Sequence, residues 1–282
     1  MGTKNFENKV RKTIEKFNLI SKKDKALVAV SGGKDSTTAL YIVHKLFPRT
    51  EAITIDALIG NYSKKNLENI KRFCKEHGIK LHVISFRDEF GYSLCYIQSI
   101  LKSKKIKLNS CAICGVLKRY LLNRYAKKLK MTKLVTGHNL DDESQNILMN
   151  FLRFNLELFS RLGPKTGLIK HKTFVQRVKP LYFCSEREII EYSKKMKFPV
   201  LYDRCPCSEY AYRRFIENLL DEYEKKHKNV KMKIIDGFLK ILPKVKDYYR
   251  TAEKIKVCRY CGEPSKKDTC MACNIIGIVK FK

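Results

Sequence analysis

Residues 26–36 constrain the fold of this chain more than any other segment. They begin with the apolar run Ala-Leu-Val-Ala-Val, which is typical of a strand buried on both faces of a sheet. Gly32 and Gly33 follow in a turn, and a helix is predicted from about residue 36 to 46. Backbone N–H groups at such a strand–turn–helix junction, with the positive end of the helix dipole, bind anions. The segment lacks the GxxxxGK[ST] pattern of loops that transfer a γ-phosphate.

The rest of the chain alternates strands and helices, which predicts an α/β fold built on a parallel sheet. Further strands are predicted at 52–56, 80–85 and 134–136, and helices at 4–18, 67–77, 112–129, 141–155 and 209–242. Pro243 is expected near the end of the last helix, and Ser185 with Glu188 predicts a capping box for another helix. The predicted divisions are an N-terminal helix at 1–24, a catalytic domain at 25–205, a helical extension at 206–254 and a cysteine-rich module at 255–282.

Charge and cysteine content narrow the class of function. The 282 residues carry 59 Lys and Arg against 28 Asp and Glu, a net charge of +31 that favours a nucleic acid partner. Residues 102–133 hold eleven of the basic residues and no acidic one. Within this stretch we expect nucleic acid contacts from Lys127, Lys128 and Lys130. No apolar run is long enough for a membrane span and no signal peptide is evident, so a cytoplasmic protein with reduced cysteines is expected.

A second polar motif follows the predicted strand at 134–136. It reads Thr-Gly-His-Asn-Leu-Asp-Asp-Glu over residues 136–143. Acidic residues at a helix start are favoured by the helix dipole alone, but paired carboxylates beside a nucleotide site also suit Mg²⁺.

The eleven cysteines are grouped at spacings that indicate metal binding. Cys111 and Cys114 have two residues between them, and Cys205 and Cys207 come much later in the chain. Three of these thiolates on a four-iron cluster would leave one iron open, whereas all four would close a structural site. A separate C-terminal set has the spacing of a structural zinc site, comprising Cys258, Cys261, Cys270 and Cys273.

Ser-Gly-Gly-Lys-Asp-Ser at residues 31–36 resembles the PP-loop of N-type ATP pyrophosphatases, in the adenine nucleotide alpha hydrolase-like superfamily. This resemblance implies that ATP is surrounded by Ala29, Ser31, Gly33, Lys34, Asp35, Ser36, Ile55 and Gly137. The GHNxDD pattern is similar to that of PP-loop enzymes that activate a base in tRNA.

The C-x-x-C pair, Lys118, the GHNLDDE motif and the late Cys-Pro together resemble the tRNA 2-thiouridine synthetases of archaea, thermophilic bacteria and the eukaryotic cytosol. The resemblance implies a [4Fe–4S] cluster on Cys111, Cys114 and Cys205, with Asp35, Lys118 and Asp142 as catalytic residues. It also implies ATP, Mg²⁺ and Zn²⁺ as cofactors, tRNA as substrate, and free sulfide or a ubiquitin-like thiocarboxylated carrier as sulfur donor.

Three points stay open at the level of sequence. The family usually carries a zinc finger ahead of the PP-loop, and this chain has no cysteine before Cys74. The thiolated uridine, at position 34 or 54, and a possible homodimer are not decided. Two alternatives are 2-thiocytidine formation by the same chemistry and a non-catalytic zinc- and RNA-binding protein on a nucleotide-binding fold.

Overall fold

A parallel five-stranded sheet organises the chain in the computed structural model, which describes residues 2–168, 173–208, 212–250 and 256–280. The strands are β1 (Ala26–Ala29), β2 (Thr50–Asp56), β3 (Leu81–Ser85), β4 (Lys133–Thr136) and β5 (Gln176–Val178). Their order is β3-β2-β1-β4-β5, and every neighbouring pair is parallel. The predicted parallel α/β fold is therefore confirmed. Because the order reverses between β1 and β4, a crevice opens between the loops that leave their carboxyl ends.

Helices cover both faces of the sheet. One face carries α1 (Thr3–Lys16), α2 (Lys34–Leu46), α3 (Gly60–Glu76) and α9 (Glu186–Lys195). The opposite face carries α4 (Phe86–Phe90), α5 (Leu94–Ser103), α6 (Ser110–Lys128) and α12 (Met271–Lys280). A third group packs beside the sheet and comprises α7 (Leu140–Leu152), α8 (Leu156–Ser160), α10 (Tyr212–Lys226) and α11 (Val230–Arg250). No helix within the described ranges combines the length and apolar character needed to cross a bilayer.

Two local predictions are confirmed on the first face. Phe6, Val10 and Ile14 of α1 are buried in the core, as their helical spacing predicts. The capping box of α9 is present, since Ser185 and Glu188 each accept a hydrogen bond from the backbone N–H of the other.

The segment 209–242, predicted to be helical, forms two helices over its described residues 212–242, while residues 209–211 lie outside the described part of the chain. α10 ends at Lys226, the chain turns through Asn229 with a positive φ of 64°, and α11 then continues to Arg250. Pro243 lies inside α11 and does not end it. Leu242 and Phe238 pack into the core cluster beneath α7, and this burial outweighs the backbone hydrogen bond that a proline removes.

The cysteine-rich C-terminal segment is packed onto the sheet domain. It forms an antiparallel pair, β6 (Lys256–Val257) and β7 (Pro264–Ser265), followed by α12. Ala272, Ile275 and Val279 are buried in the same cluster as the apolar face of α6. The segment thus completes its core on α5 and α6.

A buried ion pair ties α7 to the chain just after β5. The Lys179 ammonium donates to the Glu143 carboxylate at 2.7 Å, and the two residues are 4% and 0% exposed. Burial lowers the pKa of Lys179 despite the neighbouring carboxylate. The two charges therefore depend on each other, because neither is compensated by water.

Removing one member of this pair should destabilise the fold more than removing both. Glu143→Leu leaves the ammonium buried without a counter-charge, so the free energy of unfolding should fall by about 3–5 kcal/mol. The double variant Glu143→Leu/Lys179→Met should recover more than half of that loss in urea denaturation. A double variant no more stable than Glu143→Leu would contradict this account.

Candidate active site

The loop between β1 and α2 leaves a helix N-terminus open toward the crevice. Gly32 has a φ of +83°, and a Cβ there would lie 2.5 Å from the Asn66 carbonyl oxygen, so only glycine fits. Gly33 is the N-cap of α2. Because glycine has no side chain, no capping side chain accepts a hydrogen bond from the first N–H groups of the helix. The Ser36 hydroxyl accepts from the Ser31 N–H at 3.1 Å and so holds the turn closed. The first N–H groups of α2 are arranged to receive an anion.

Gly137 brings the loop after β4 into direct contact with this turn. A Cβ at Gly137 would lie 2.7 Å from the Ser36 nitrogen and 2.8 Å from the Asp35 carbonyl carbon. The two loops therefore pack backbone to backbone. The resemblance implies that Gly137 contacts ATP. In the structure Gly137 packs against the backbone of the PP-loop.

Asn139 joins the two motifs through its side chain. Its amide nitrogen donates to Asp35 at 2.9 Å, and its amide oxygen accepts from the Asp142 N–H at 3.0 Å. Asp142 completes a capping box at the start of α7. Sequence reasoning missed Asn139 as a site residue, although an Asn three positions before an Asp is itself a capping signal.

Asp35 and Asp142 face each other across the crevice. Burial raises the pKa of the Asp35 carboxyl, Lys34 opposes this, and the charge of Asp142 raises it further. Burial likewise raises the pKa of Asp142, against the opposing charge of Arg213, whose guanidinium donates to it at 2.9 Å. The Lys34 ammonium lies 3.0 Å from Asp35. Two close carboxylates form a donor set of the kind that divalent cations prefer.

The neighbouring carboxylates have structural contacts. Asp141 accepts from Lys231 at 2.5 Å and from the Glu186 N–H at 2.7 Å, which ties α7 to α11 and α9. Glu186 also lies 2.7 Å from the Lys34 ammonium. Asp142 is therefore the acidic residue of its pair that faces Asp35. Arg213 was not anticipated, because it lies in a helix far along the chain.

Ala29 and Ile55 lie on the sheet face that α6 covers. Ala29 pairs with Ile53 of β2 and with Thr136 of β4, and Ile55 is one step further along the same face. Ile55 is buried and Ala29 packs against the same cluster. These residues form an apolar floor at the carboxyl edge beside the PP-loop.

Three thiols converge on this edge. Cys111 and Cys114 lie in the first turns of α6, which Asn109 caps. Burial raises the pKa of both thiols, and the Cys205 thiolate raises each further. Lys118, one turn along α6, opposes this rise at Cys114. The tertiary structure thus brings Cys205 to the C-x-x-C pair.

The segment that carries Cys205 runs beside the PP-loop. Leu201 forms a parallel bridge with Gly33. Burial raises the pKa of Tyr62, and the Cys205 thiolate raises it further while Lys34 opposes the rise. Cys207 lies close by, since its carbonyl accepts from the Cys111 thiol at 3.2 Å and its own thiol is hydrogen-bonded with Cys205. Both late cysteines therefore lie beside the C-x-x-C pair, and the contacts to Tyr62 and the PP-loop side are made by Cys205.

The C-terminal cysteines form a compact metal-binding set. Among the residues described, Cys258, Cys261, Cys270 and Cys273 are the one group of potential ligands whose donor atoms all lie within 4.8 Å of one another. The Cys261 and Cys270 sulfurs are 3.7 Å apart, close to the roughly 3.8 Å that tetrahedral zinc with 2.3 Å bonds requires. Burial opposes ionisation of Cys258, but backbone N–H groups outweigh it and lower its pKa to about 6.

The structure does not bring the three predicted tRNA-binding lysines to this edge. Lys127 and Lys128 lie in the last turn of α6, about 20 Å from Cys114 along the helix. The Lys127 ammonium pairs with Glu263 of the C-terminal segment, and that of Lys128 lies 5.4 Å from the Tyr125 ring. Lys130 follows with a φ of 53°.

Comparison with known proteins places this architecture in a family. The PP-loop domain family matches residues 3–222. A tRNA-5-methyluridine(54) 2-sulfurtransferase of Pyrococcus horikoshii is 34% identical, over 98% of this chain and 86% of the relative. The cytoplasmic tRNA 2-thiolation protein 1 of Caenorhabditis elegans is 31% identical, over 97% of this chain and 73% of the relative.

A solved structure has the same fold. The U34-tRNA thiolase NcsA of Methanococcus maripaludis, determined with its [4Fe–4S] cluster, superposes with a TM-score of 0.78 at 28% identity. The match covers 96% of this chain and 86% of that one. With the SGGKDS loop, the GHNLDDE motif and the C-x-x-C pair at one sheet edge, the chain belongs to the PP-loop family of tRNA 2-thiolation sulfurtransferases.

Proposed function

We propose that this protein is a cytoplasmic enzyme that replaces the C2 oxygen of a tRNA uridine with sulfur at the expense of ATP. One observation carries the proposal, namely that the PP-loop, the Asp35–Asp142 pair and three thiols converge on one crevice. The uridine C2 oxygen attacks the α-phosphorus of ATP and pyrophosphate leaves. Sulfide then attacks C2, and the oxygen departs with AMP. Sulfide is either free or delivered by a ubiquitin-like thiocarboxylated carrier.

The residues of the crevice have separate roles in this reaction. The N-terminus of α2 and Lys34 bind the phosphates, while Ala29 and Ile55 lie beneath the nucleotide. Asp35 and Asp142 would hold Mg²⁺, which would supply positive charge to screen their mutual repulsion and that of the phosphates. Lys118 stabilises negative charge on the reacting oxygen.

Cys111, Cys114 and Cys205 are suited to hold a [4Fe–4S] cluster. Three protein thiolates on such a cluster would leave one iron open to sulfide. Zn²⁺ belongs to the C-terminal four cysteines, where it would hold β6, β7 and the start of α12 together.

Anaerobic incubation of the protein with tRNA, ATP, Mg²⁺ and sulfide should produce 2-thiouridine together with AMP and pyrophosphate. Mass analysis of the digested nucleosides measures the product. Asp142→Asn keeps the side-chain size and removes the charge, so thiolation should fall by roughly a hundredfold. Asp247→Asn, at an exposed position of α11, should be fully active. A thiolated cytidine as product, or no tRNA-dependent AMP, would contradict the proposed reaction.

Cys205, rather than Cys207, should complete the cluster site. Cys205→Ser should lose iron, sulfide and activity together after anaerobic reconstitution, as should Cys111→Ser and Cys114→Ser. Cys207→Ser should keep most of all three, because a fourth protein thiolate would close the iron that must stay open to sulfide. Zinc should stay bound in each variant, since the C-terminal ligands are separate. Equal dependence on all four cysteines would instead indicate a closed site without an open iron.

Gly137→Ala should disrupt nucleotide binding through the PP-loop. A Cβ 2.7 Å from the Ser36 nitrogen must move by about 0.7 Å to reach an ordinary 3.4 Å contact. A displacement of this order in the phosphate-binding loop should slow thiolation by roughly a hundredfold. Gly237→Ala is the matched control, because a Cβ there meets nothing within 4 Å. The ATP affinity of both variants is measured by titration calorimetry. An unchanged affinity for Gly137→Ala would contradict the packing role of Gly137.

A further inference from the structure

Two arginines lie side by side where α6 crosses β5. Asn123 fixes the alignment of these elements, since its side chain donates to the Thr173 carbonyl at 3.0 Å and accepts from the Val175 N–H at 3.1 Å. α6 connects two parallel strands and runs antiparallel to them. Arg119 lies on α6 one turn before Asn123. Arg177 lies in β5, two residues after Val175. Both steps lead toward the carboxyl edge of the sheet.

The fold also places their side chains on one side. Arg177 pairs with Leu134 in the sheet, and Leu134 packs in the cluster beneath α6, so Arg177 points toward that helix. The Arg119 guanidinium lies over Gly115, where a Cβ would come within 2.9 Å of its Nη1. Burial and the charge of Arg119 together lower the pKa of Arg177 to about 10, against the opposing charge of Glu143.

Neither guanidinium has a carboxylate or carbonyl partner within the described part of the chain. The cations around them are compensated differently. Lys179 is paired with Glu143, and Arg213 with Asp142. The charge of Glu143 at Arg177 and that of Cys114 at Arg119 offset the cost of burying these like charges only in part, because the pKa of each arginine stays lowered. A ligand with negative charge would offset the rest.

The pair lies between the two halves of the proposed site. The charge of Arg119 acts on the Cys114 thiol, and that of Arg177 acts on half-buried His138 beside Asn139. β4 separates β5 from β1, so Arg177 lies two strand spacings, about 10 Å, from the strand that leads into the PP-loop. The pair is thus distinct from the site for the ATP phosphates and next to the position of the target base.

We propose that Arg119 and Arg177 together bind a backbone phosphate of the tRNA beside the target nucleotide, an inference that rests on the function proposed above. Guanidinium groups match phosphate oxygens in a planar, two-pronged geometry. A phosphodiester shared between them cancels their repulsion and anchors the nucleotide whose base must reach Asp142. The tRNA backbone is the source of this phosphate, because the ATP phosphates have their own site at α2.

Equilibrium binding of unmodified tRNA, measured by fluorescence anisotropy over a range of KCl concentrations, tests this site. Arg119→Gln and Arg177→Gln should each raise the tRNA Kd by roughly tenfold. Each should also reduce the slope of log affinity against log salt by about 0.7–0.9, the loss of one phosphate contact. Arg177→Lys keeps the charge and should preserve the slope. Arg72→Gln, an exposed arginine on α3 paired with Glu76, should change neither quantity.

Titration with ATP separates the two sources of phosphate and checks that the variants are folded. ATP affinity should match the wild type in every variant. Unchanged tRNA affinity and slope would overturn the proposal, and so would weaker ATP binding with unaltered tRNA binding. Because binding is read without turnover, a wild-type protein that binds tRNA and never thiolates it would contradict the proposed function alone.

Discussion

The backbone contact between the loop after β4 and the start of α2 holds the candidate site together. It exists because β1 and β4 are neighbours whose following chains diverge, and because Gly137 has no side chain to keep the loops apart. Asn139 adds a hydrogen bond from one motif to Asp35 of the other. Every distance between the phosphate-binding turn and the catalytic carboxylate candidate depends on this contact.

Ion pairs are the second kind of interaction that positions the side chains of the site. In a chain of net charge +31, two of the few acidic side chains are placed facing each other, and burial raises the pKa of both. Lys34 forms an ion pair with Asp35, and Arg213 forms one with Asp142. These partners come from α2 and α10, so the helical extension takes part in the site. Arg119 and Arg177 are the contrasting case, since neither forms an ion pair within the described part of the chain.

Much of this architecture could be predicted from local pattern. The uninterrupted apolar run of β1 is typical of a central parallel strand, and the Ser185–Glu188 pair marked the start of α9. The spacing of the last four cysteines matched the compact set in the structure. The break between α10 and α11 and the passage of α11 through Pro243 were not predicted, because burial of Phe238 and Leu242 overrides the local preference.

By itself the sequence determined the fold class, the two crevice motifs and the two groups of closely spaced cysteines, since each depends on residues within a few positions of one another. Only the tertiary structure decided which distant side chains join them. Cys205 reaches Cys114, Arg213 reaches Asp142, and Arg177 reaches the side of α6 that carries Arg119. These contacts depend on strand order and on the path of connections across the sheet. Periodicity and spacing along the chain carry no information about either.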